Sequence, residues 1–311
     1  MHIQILRESV GKGGANKGID VFKVQNLINN NNLYTGLSAP LPMTGVVDDA
    51  LIGAIESFQT NHPLLLTKKP DGLISPNGRT LVQLKGYKNQ EGICKSYFPI
   101  GFDGNTFVRF NTEKFFGLYR LQYPKLTITA AAIVGLDTLL NAIIADTEIT
   151  SITWAAYMLA TVKHECANTW RAIEEYGKGV GHDYGKAVLI ADPTDATGKK
   201  KISNSYYGRG FVQLTWEDNY KGMDEALGLS GTDSLHLYPA HALDSKIAYK
   251  IMSYGMRNGS FTGKKLSDYI TSSSSADYKG ARRIINGQDQ AQLIKNYAED
   301  FEFILHYCNG V

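Results

Sequence analysis

The chain has 311 residues, of which 43% are hydrophobic and 20% are charged. This is the composition of a globular protein, and it excludes a largely disordered or collagen-like chain. At about 100–200 residues per domain, the length indicates two domains. The 32 basic and 30 acidic residues leave a net charge of +2, so neither nucleic acid nor an acidic membrane surface is an expected partner.

The cysteines predict neither a disulfide framework nor a zinc site. Cys94, Cys166 and Cys308 are scattered along the chain and form no CxxC pair. The start of the sequence contains no apolar segment typical of a signal peptide, and the longest apolar stretches are too short to span a bilayer. We therefore expect a soluble chain, made in a cytoplasm without a Sec signal peptide, that does not insert into membranes.

Three helices are predicted in the first 86 residues. The first carries apolar residues at helical spacing from Val21 to Ile28 and ends in a run of asparagines. The second follows Asp48, a predicted N-cap, and the third has Pro76 in its first turn. Residues 1–86 are therefore predicted to form a small three-helix domain.

The rest of the chain is also predicted to be mainly α. Residues 87–111 are rich in glycine, asparagine and aromatic residues, which predicts a linker or an irregular lead-in. From residue 112 to 311 helical periodicity predominates and strand alternation is scarce. The predicted helices are Phe115–Leu121, Ala130–Ala145, Trp154–Glu165, Ala240–Asn258 and Asp289–Tyr307.

Glu165 is the first candidate for chemistry. The segment Trp154–Glu165 is apolar nearly all round, which predicts a buried helix with its polar residues at the C-terminal end. Glu165 shares its face with Met158 and Val162. A carboxyl group against an apolar surface and at a helix C-terminus is costly to ionise, which suits a general acid. A solvated glutamate at a helix end is the alternative.

Two further segments suit a sugar substrate. The acidic pair Glu174-Glu175 could lie opposite Glu165, since glycoside hydrolysis needs two carboxyl groups, although adjacent acids in loops are often only solvated. Segment 206–220 mixes aromatic rings with hydrogen-bonding side chains, as sugar sites do, or forms a tight aromatic turn. Those hydrogen-bonding side chains are Arg209, Gln213, Thr215 and Asn219.

Residues 1–86 carry four motifs of a known binding module. They are Val24-Gln25-x-Leu27, Gly45-Val46-Val47-Asp48, Ala54-x-x-x-Phe58-Gln59 and Asp71-Gly72-x-Ile74. This series resembles a peptidoglycan-binding-like domain. The resemblance implies a helical array that presents a groove to cell-wall glycopeptide. A three-helix assembly module without that role is the alternative.

A second series of motifs lies between residues 112 and 311. It consists of His164-Glu165, Ile173–Gly177, Tyr207-Gly208-Arg209-Gly210, Gln213-Leu214-Thr215, Asn219-Tyr220 and Ala281–Gly287. This series resembles glycoside hydrolase family 19, which contains chitinases and bacteriophage endolysins on a lysozyme-like helical fold. The disulfides and the longer insertion of the plant members are missing, which favours the bacterial and phage branch.

The family resemblance also implies roles for individual residues. Glu165 matches the general acid and Glu175 the general base, with Glu174 as the alternative base. Thr215 matches the hydroxyl that helps to hold the attacking water. The positions that match substrate-binding residues are Tyr207, Arg209, Gln213, Asn219 and Asn286. No cofactor is implied, and no metal is expected, since Asn168 stands where a zinc-binding HExxH motif needs its second histidine.

Together the two resemblances predict a hydrolase that cuts peptidoglycan between N-acetylmuramic acid and N-acetylglucosamine with inversion. The alternatives are a chitinase and a non-catalytic cell-wall-binding or phage structural protein. The expected partner is bacterial peptidoglycan, and the chain is expected to be a monomer. It would reach the periplasm or cell wall as an endolysin released through a holin, or as a type VI secretion effector countered by an immunity protein.

Overall fold

The computed structural model describes residues 6–65, 69–86, 111–271 and 275–309, and the chain divides into two compact units. Among these residues, 6–65, 69–86, 111–127 and 303–309 form the first unit, and 128–271 and 275–302 form the second. The predicted linker lies outside the described residues, apart from Asn111. Helices dominate both units, which confirms the mainly α fold. No helix among the described residues is long and apolar enough to cross a membrane.

The first unit combines helices with one short antiparallel strand pair, in which Val10 lies opposite Ile74. The three helices predicted in the first 86 residues are confirmed as the longer helices of this segment. In chain order the elements are β1 (Val10–Gly11), α1 (Gly18–Asn30), α2 (Asn32–Thr35), α3 (Asp49–Asn61), β2 (Leu73–Ile74), α4 (Arg79–Gly86) and α5 (Thr112–Gln122).

Of two helix starts predicted from local sequence, one is confirmed and one is wrong. The carboxylate of Asp48 accepts a hydrogen bond from the Leu51 backbone at 2.8 Å and caps α3, as predicted. The prediction for Pro76 is wrong, because Pro76 lies in a turn closed by a 2.9 Å bond from the backbone N–H of Gly78 to the Ser75 carbonyl. α4 therefore begins only at Arg79.

The core of the first unit is built from apolar side chains of α1, α3 and α4. Phe22 of α1 also packs edge-on against Tyr307, with ring centroids 4.8 Å apart, and against Phe303. The backbone N–H of Asn111 donates to the carbonyl of Cys308 at 2.9 Å. These contacts place residues 303–309 in the first unit, whereas the sequence assigned them to the second domain.

The second unit consists of helices with two small antiparallel strand pairs. The helices are α6 (Ala130–Ala145), α7 (Ile152–Glu165), α8 (Glu217–Leu227), α9 (Ser245–Asn258), α10 (Leu266–Tyr269) and α11 (Ala291–Cys308), which ends in the first unit. The strands are β3 (Ile173–Glu174), β4 (Val188–Ala191), β5 (Lys201–Asn204) and β6 (Arg209–Gly210). β3 pairs with β6, and β4 pairs with β5.

The helices predicted after residue 112 are confirmed to within a few residues, except at the start of α9. A short 3-10 helix, Pro239–Leu243, precedes it. α9 then begins at Ser245 because the carboxylate of Asp244 accepts hydrogen bonds from the backbone N–H groups of Lys246 and Ile247.

α7 is the central element for the site. Its side chains are buried from Ala155 to Lys163, as an all-round apolar helix requires. Tyr157 stacks on Tyr278 with the ring planes 5° apart. Because this burial fixes the helix along its length, the position of its last residue, Glu165, is also fixed.

Candidate active site

Glu165 ends α7 and has a charged partner. Its Oε1 atom accepts a hydrogen bond of 2.5 Å from Nη1 of Arg282, and only 16% of the Glu165 side chain is exposed. The sequence did not predict this buried guanidinium against the carboxyl group. Oε2 of Glu165 has no hydrogen-bond partner among the described residues.

Arg282 is fixed in place by the turn that carries it. Its side chain is 2% exposed, and its Nε atom donates to the carbonyl of Asp289 at 3.0 Å. Asn286 follows in the same turn, where its backbone N–H donates to the Arg282 carbonyl and its side chain is exposed. Glu165 and Asn286 are therefore linked through Arg282, whose role the sequence motif did not reveal.

Glu175 directly follows the pairing of β3 with β6. Its carboxylate accepts a 2.8 Å hydrogen bond from the Tyr184 hydroxyl and a 3.0 Å bond from the Gly208 backbone. The backbone N–H of Glu175 in turn donates to the Gly208 carbonyl at 2.7 Å. A Cβ at position 208 would lie 2.9 Å from Oε1 of Gln213 and 3.3 Å from the Cβ of Glu175, so both side chains would have to shift to admit it. Glu175 is thus a half-buried carboxylate held by uncharged donors.

Glu174 has a different environment, with cations nearby. It accepts a 2.6 Å hydrogen bond from the Tyr207 hydroxyl and forms an ion pair with Lys178 at 3.0 Å, and Arg209 lies 3.8 Å away. The Tyr207 hydrogen bond and the Lys178 contact lower the pKa of Glu174. Both of its oxygens are occupied, as expected for a residue that stabilises the loop.

Tyr184 is a site residue that the sequence did not single out. Burial and the adjacent Glu175 carboxylate raise the pKa of its phenol, so the hydroxyl remains a donor to Glu175. Its ring contacts Trp216 edge-on with centroids 5.3 Å apart. In the sequence, Tyr184 lies in a glycine-rich segment without helical or strand periodicity. Nothing in that segment predicted its contact with Glu175.

Two predicted substrate-binding residues lie beneath the surface. Arg209 and Tyr207 are each 6% exposed, and the guanidinium lies 3.6 Å from the centre of the Tyr207 ring. Arg209 also donates to the carbonyl of Ser205 and to the hydroxyl of Tyr220. The structure therefore places both residues under the site, where they support Glu174 and the β3–β6 pair.

The segment after β6 brings three other predicted residues together. Gln213 donates its amide N–H groups to the carbonyls of Ile173 and Gly210. The Thr215 hydroxyl donates to the Gln213 carbonyl, and the Asn219 amide donates to the Thr215 carbonyl, both at 2.7 Å. Each of Gln213, Thr215 and Asn219 is half-buried, so they can meet a ligand at the surface.

Cys166 links the end of α7 to this segment. Its thiol lies 3.9 Å from the Gly210 carbonyl and 3.8 Å from the Phe211 carbonyl. Burial raises the pKa of the thiol, so it is not a nucleophile at neutral pH. Its contacts tie the residue after Glu165 to the strand that pairs with β3.

Within the described part of the chain, no three His, Cys, Asp or Glu side chains are grouped so that they could hold a metal ion. The described residues supply two separately held carboxyl groups, Glu165 at the end of α7 and Glu175 after β3. Gln213, Thr215 and Asn219 offer amide and hydroxyl groups.

No protein-family model and no curated protein matches the chain. Among solved structures, chitinase C from Streptomyces griseus HUT6037 is similar at 18% identity, over 65% of this chain and 78% of that chain, with a TM-score of 0.35. A bacterial family 19 chitinase is 21% identical over 65% of this chain and 97% of that chain, with a TM-score of 0.36.

Proposed function

We propose that the chain is a glycoside hydrolase of the family 19 type, with Glu165 as general acid and Glu175 as general base. The observation that carries the proposal is the contrast between the two carboxyl groups. Glu165 meets a buried guanidinium through one oxygen only, whereas both oxygens of Glu175 accept bonds from neutral donors. Acid and base roles at one site require carboxyl groups in different environments.

The motif resemblance assigns the acid role to Glu165 and the base role to Glu175, and the contacts of each carboxyl group hold it in place. Arg282 orients Glu165 through Oε1, which leaves Oε2 to carry the proton. That proton passes to the glycosidic oxygen as its bond to the anomeric carbon breaks. Glu175 takes a proton from a water molecule, whose oxygen attacks the anomeric carbon from the opposite face. The configuration at that carbon is therefore inverted, and no cofactor takes part.

Glu175 is the better base because both carboxylate oxygens of Glu174 already have partners. An ion pair with Lys178 and a hydrogen bond from Tyr207 occupy its oxygens. Consecutive residues in extended backbone point their side chains to opposite faces, so the two carboxylates do not share one position. Thr215 is proposed to hold the attacking water, and Gln213, Asn219 and Asn286 to bind the glycan.

The proposed substrate is bacterial peptidoglycan, cut between N-acetylmuramic acid and N-acetylglucosamine. Support comes from the binding-module motifs of residues 1–86, which would keep the enzyme on the cell wall and raise its local concentration. The protein would act there as a monomer, either as a phage endolysin or as a secretion effector. Chitin is the second candidate, since the same two carboxyl groups would cleave it.

The test is a turbidity assay on purified peptidoglycan run beside a chitin-release assay, each repeated with Glu165→Gln. Clearing of peptidoglycan by the wild type, but not by the variant, is the expected result. Activity on chitin alone would move the substrate to the second candidate. A wild-type protein inactive on both polymers would leave a non-catalytic cell-wall-binding protein and would overturn the proposal.

A further inference from the structure

Three rings form a continuous row beside Glu175. His182 stacks on Tyr184 with the centroids 5.0 Å apart and the planes 5° apart. Tyr184 then meets Trp216 edge-on, at 5.3 Å and 77°. Because the Tyr184 hydroxyl also donates to Glu175, this aromatic row is joined directly to the proposed base.

Trp216 ends the row with its indole exposed. The residue is 51% exposed, so its side chain can meet a ligand at the surface. Its backbone has a φ of 76°, a conformation that is strained for a non-glycine residue and that clusters at ligand sites. A 2.9 Å hydrogen bond from its N–H to the Tyr206 carbonyl holds it there.

The residues next to Trp216 in the sequence suit a sugar. Thr215 and Asn219 lie within three residues of it and offer hydroxyl and amide groups. A pyranose ring has one apolar C–H face and a rim of hydroxyls, so an exposed ring flanked by polar side chains matches it. The nearest carboxylate on α8, Glu217, is already paired with Lys221 and His236.

We propose that Trp216 is a substrate-binding residue that stacks on the apolar face of a pyranose in the glycan, on the Glu175 side of the scissile bond. This inference rests on the proposed function, since it assumes a glycan in the site. Tyr184 acts in it as a positioning residue, because it supports the indole with its ring and the base with its hydroxyl.

The experiment measures binding without turnover. Glu165→Gln serves as the inactive parent, and tryptophan fluorescence reports on Trp216. The other two tryptophans are less suited to respond, because Trp170 is fully buried and the Trp154 indole donates to the Ile270 carbonyl. The probes are a tetrasaccharide of N-acetylglucosamine and the tetrasaccharide that alternates it with N-acetylmuramic acid.

We expect at least one tetrasaccharide to change the fluorescence of the parent. Adding Trp216→Ala should remove that change and weaken binding, measured by calorimetry, by about tenfold or more. Adding Trp216→Phe keeps a ring and should weaken binding by only a few fold, which guards against a folding defect. Leu189→Ala, at an apolar side chain that is 70% exposed outside the row, is the matched control and should bind as the parent does.

The outcomes separate this inference from the proposed function. If the parent binds and the Trp216→Ala variant binds equally well, the stacking role is overturned and the hydrolase proposal stands. If the parent binds neither tetrasaccharide and the wild type cuts neither polymer, both are overturned. If the parent binds neither although the wild type cuts a polymer, the stacking role alone is overturned.

Discussion

Nη1 of Arg282 lies 2.5 Å from Oε1 of Glu165, although the two residues are 117 positions apart in the chain. Arg282 is fixed from the other side by the carbonyl of Asp289. The proposed acid is therefore positioned from both directions, by the buried helix α7 that ends at Glu165 and by the turn that carries Arg282.

The first prediction concerns this contact. Arg282→Lys keeps the charge but loses the planar guanidinium, which donates to the Glu165 carboxylate and to the Asp289 carbonyl at the same time. We expect kcat on peptidoglycan to fall by about 10²-fold, since a misplaced catalytic group costs about that much, while KM changes little. The control is Arg283→Lys, because the neighbouring side chain is exposed. Equal activity of the Arg282→Lys variant and the wild type would show that Glu165 needs no such positioning.

The two adjacent glutamates provide a second prediction. Glu175→Gln should lower the rate by about 10²–10⁴-fold, the usual contribution of a positioned base. Glu174→Gln should lower it by only a few fold, because the amide oxygen still accepts the Tyr207 hydroxyl. Rates of release of new reducing ends measure both. A larger loss in the Glu174→Gln variant would move the base to Glu174.

Two tyrosine variants test whether the hydrogen bond from Tyr184 to Glu175 matters for catalysis. Tyr184→Phe removes the hydroxyl that donates to Glu175 and keeps the ring beside Trp216. We expect kcat to fall about tenfold, because the carboxylate loses a donor. Tyr207→Phe removes the donor to Glu174 instead and should lower kcat less. Equal losses of kcat in the two variants would contradict the assignment.

The free energy of unfolding is expected to depend on pH through Glu302. Burial raises the pKa of Glu302 from 4.5 to about 7, against the opposing hydrogen bond from the Tyr278 hydroxyl. Because the folded protein then holds this proton more tightly than the unfolded chain, its contribution to stability is complete below pH 4.5. It is lost as the pH rises to about 7.

Glu302→Gln removes this titration. The free energy of unfolding of the variant, relative to the wild type, should rise by about 3 kcal/mol between pH 4.5 and 7. Taking the difference cancels other groups such as His306, whose pKa burial lowers to about 4. Glu225→Gln, at an exposed side chain, is the control. A difference that is constant with pH would show that Glu302 is not held protonated.

The sequence predicted those features that depend on neighbours along the chain. Helix spacing placed Glu165 at the end of a buried helix, and Asp48 capped α3 as a local motif should. Contacts between distant segments were not predictable in this way. Arg282 meets Glu165 across 117 residues, and Phe22 packs against Tyr307 from the other end of the chain.

Side-chain burial within the motifs was also hidden from the sequence. The resemblance placed Tyr207 and Arg209 among substrate-binding positions. In the structure both side chains are buried, beside the short pair formed by β3 and β6. Tyr184 became visible only through its hydroxyl bond to Glu175. Hydrogen bonds between loops, which obey no periodicity, decide both cases.

The most direct test of the two-carboxylate account is the configuration of the newly formed reducing end. Proton NMR would follow it during hydrolysis of a β-linked glycan substrate, before the anomers equilibrate. If Glu165 protonates the leaving oxygen while Glu175 activates water on the opposite face, the α-anomer appears first. Initial formation of the β-anomer, or of a 1,6-anhydro end, would contradict the account.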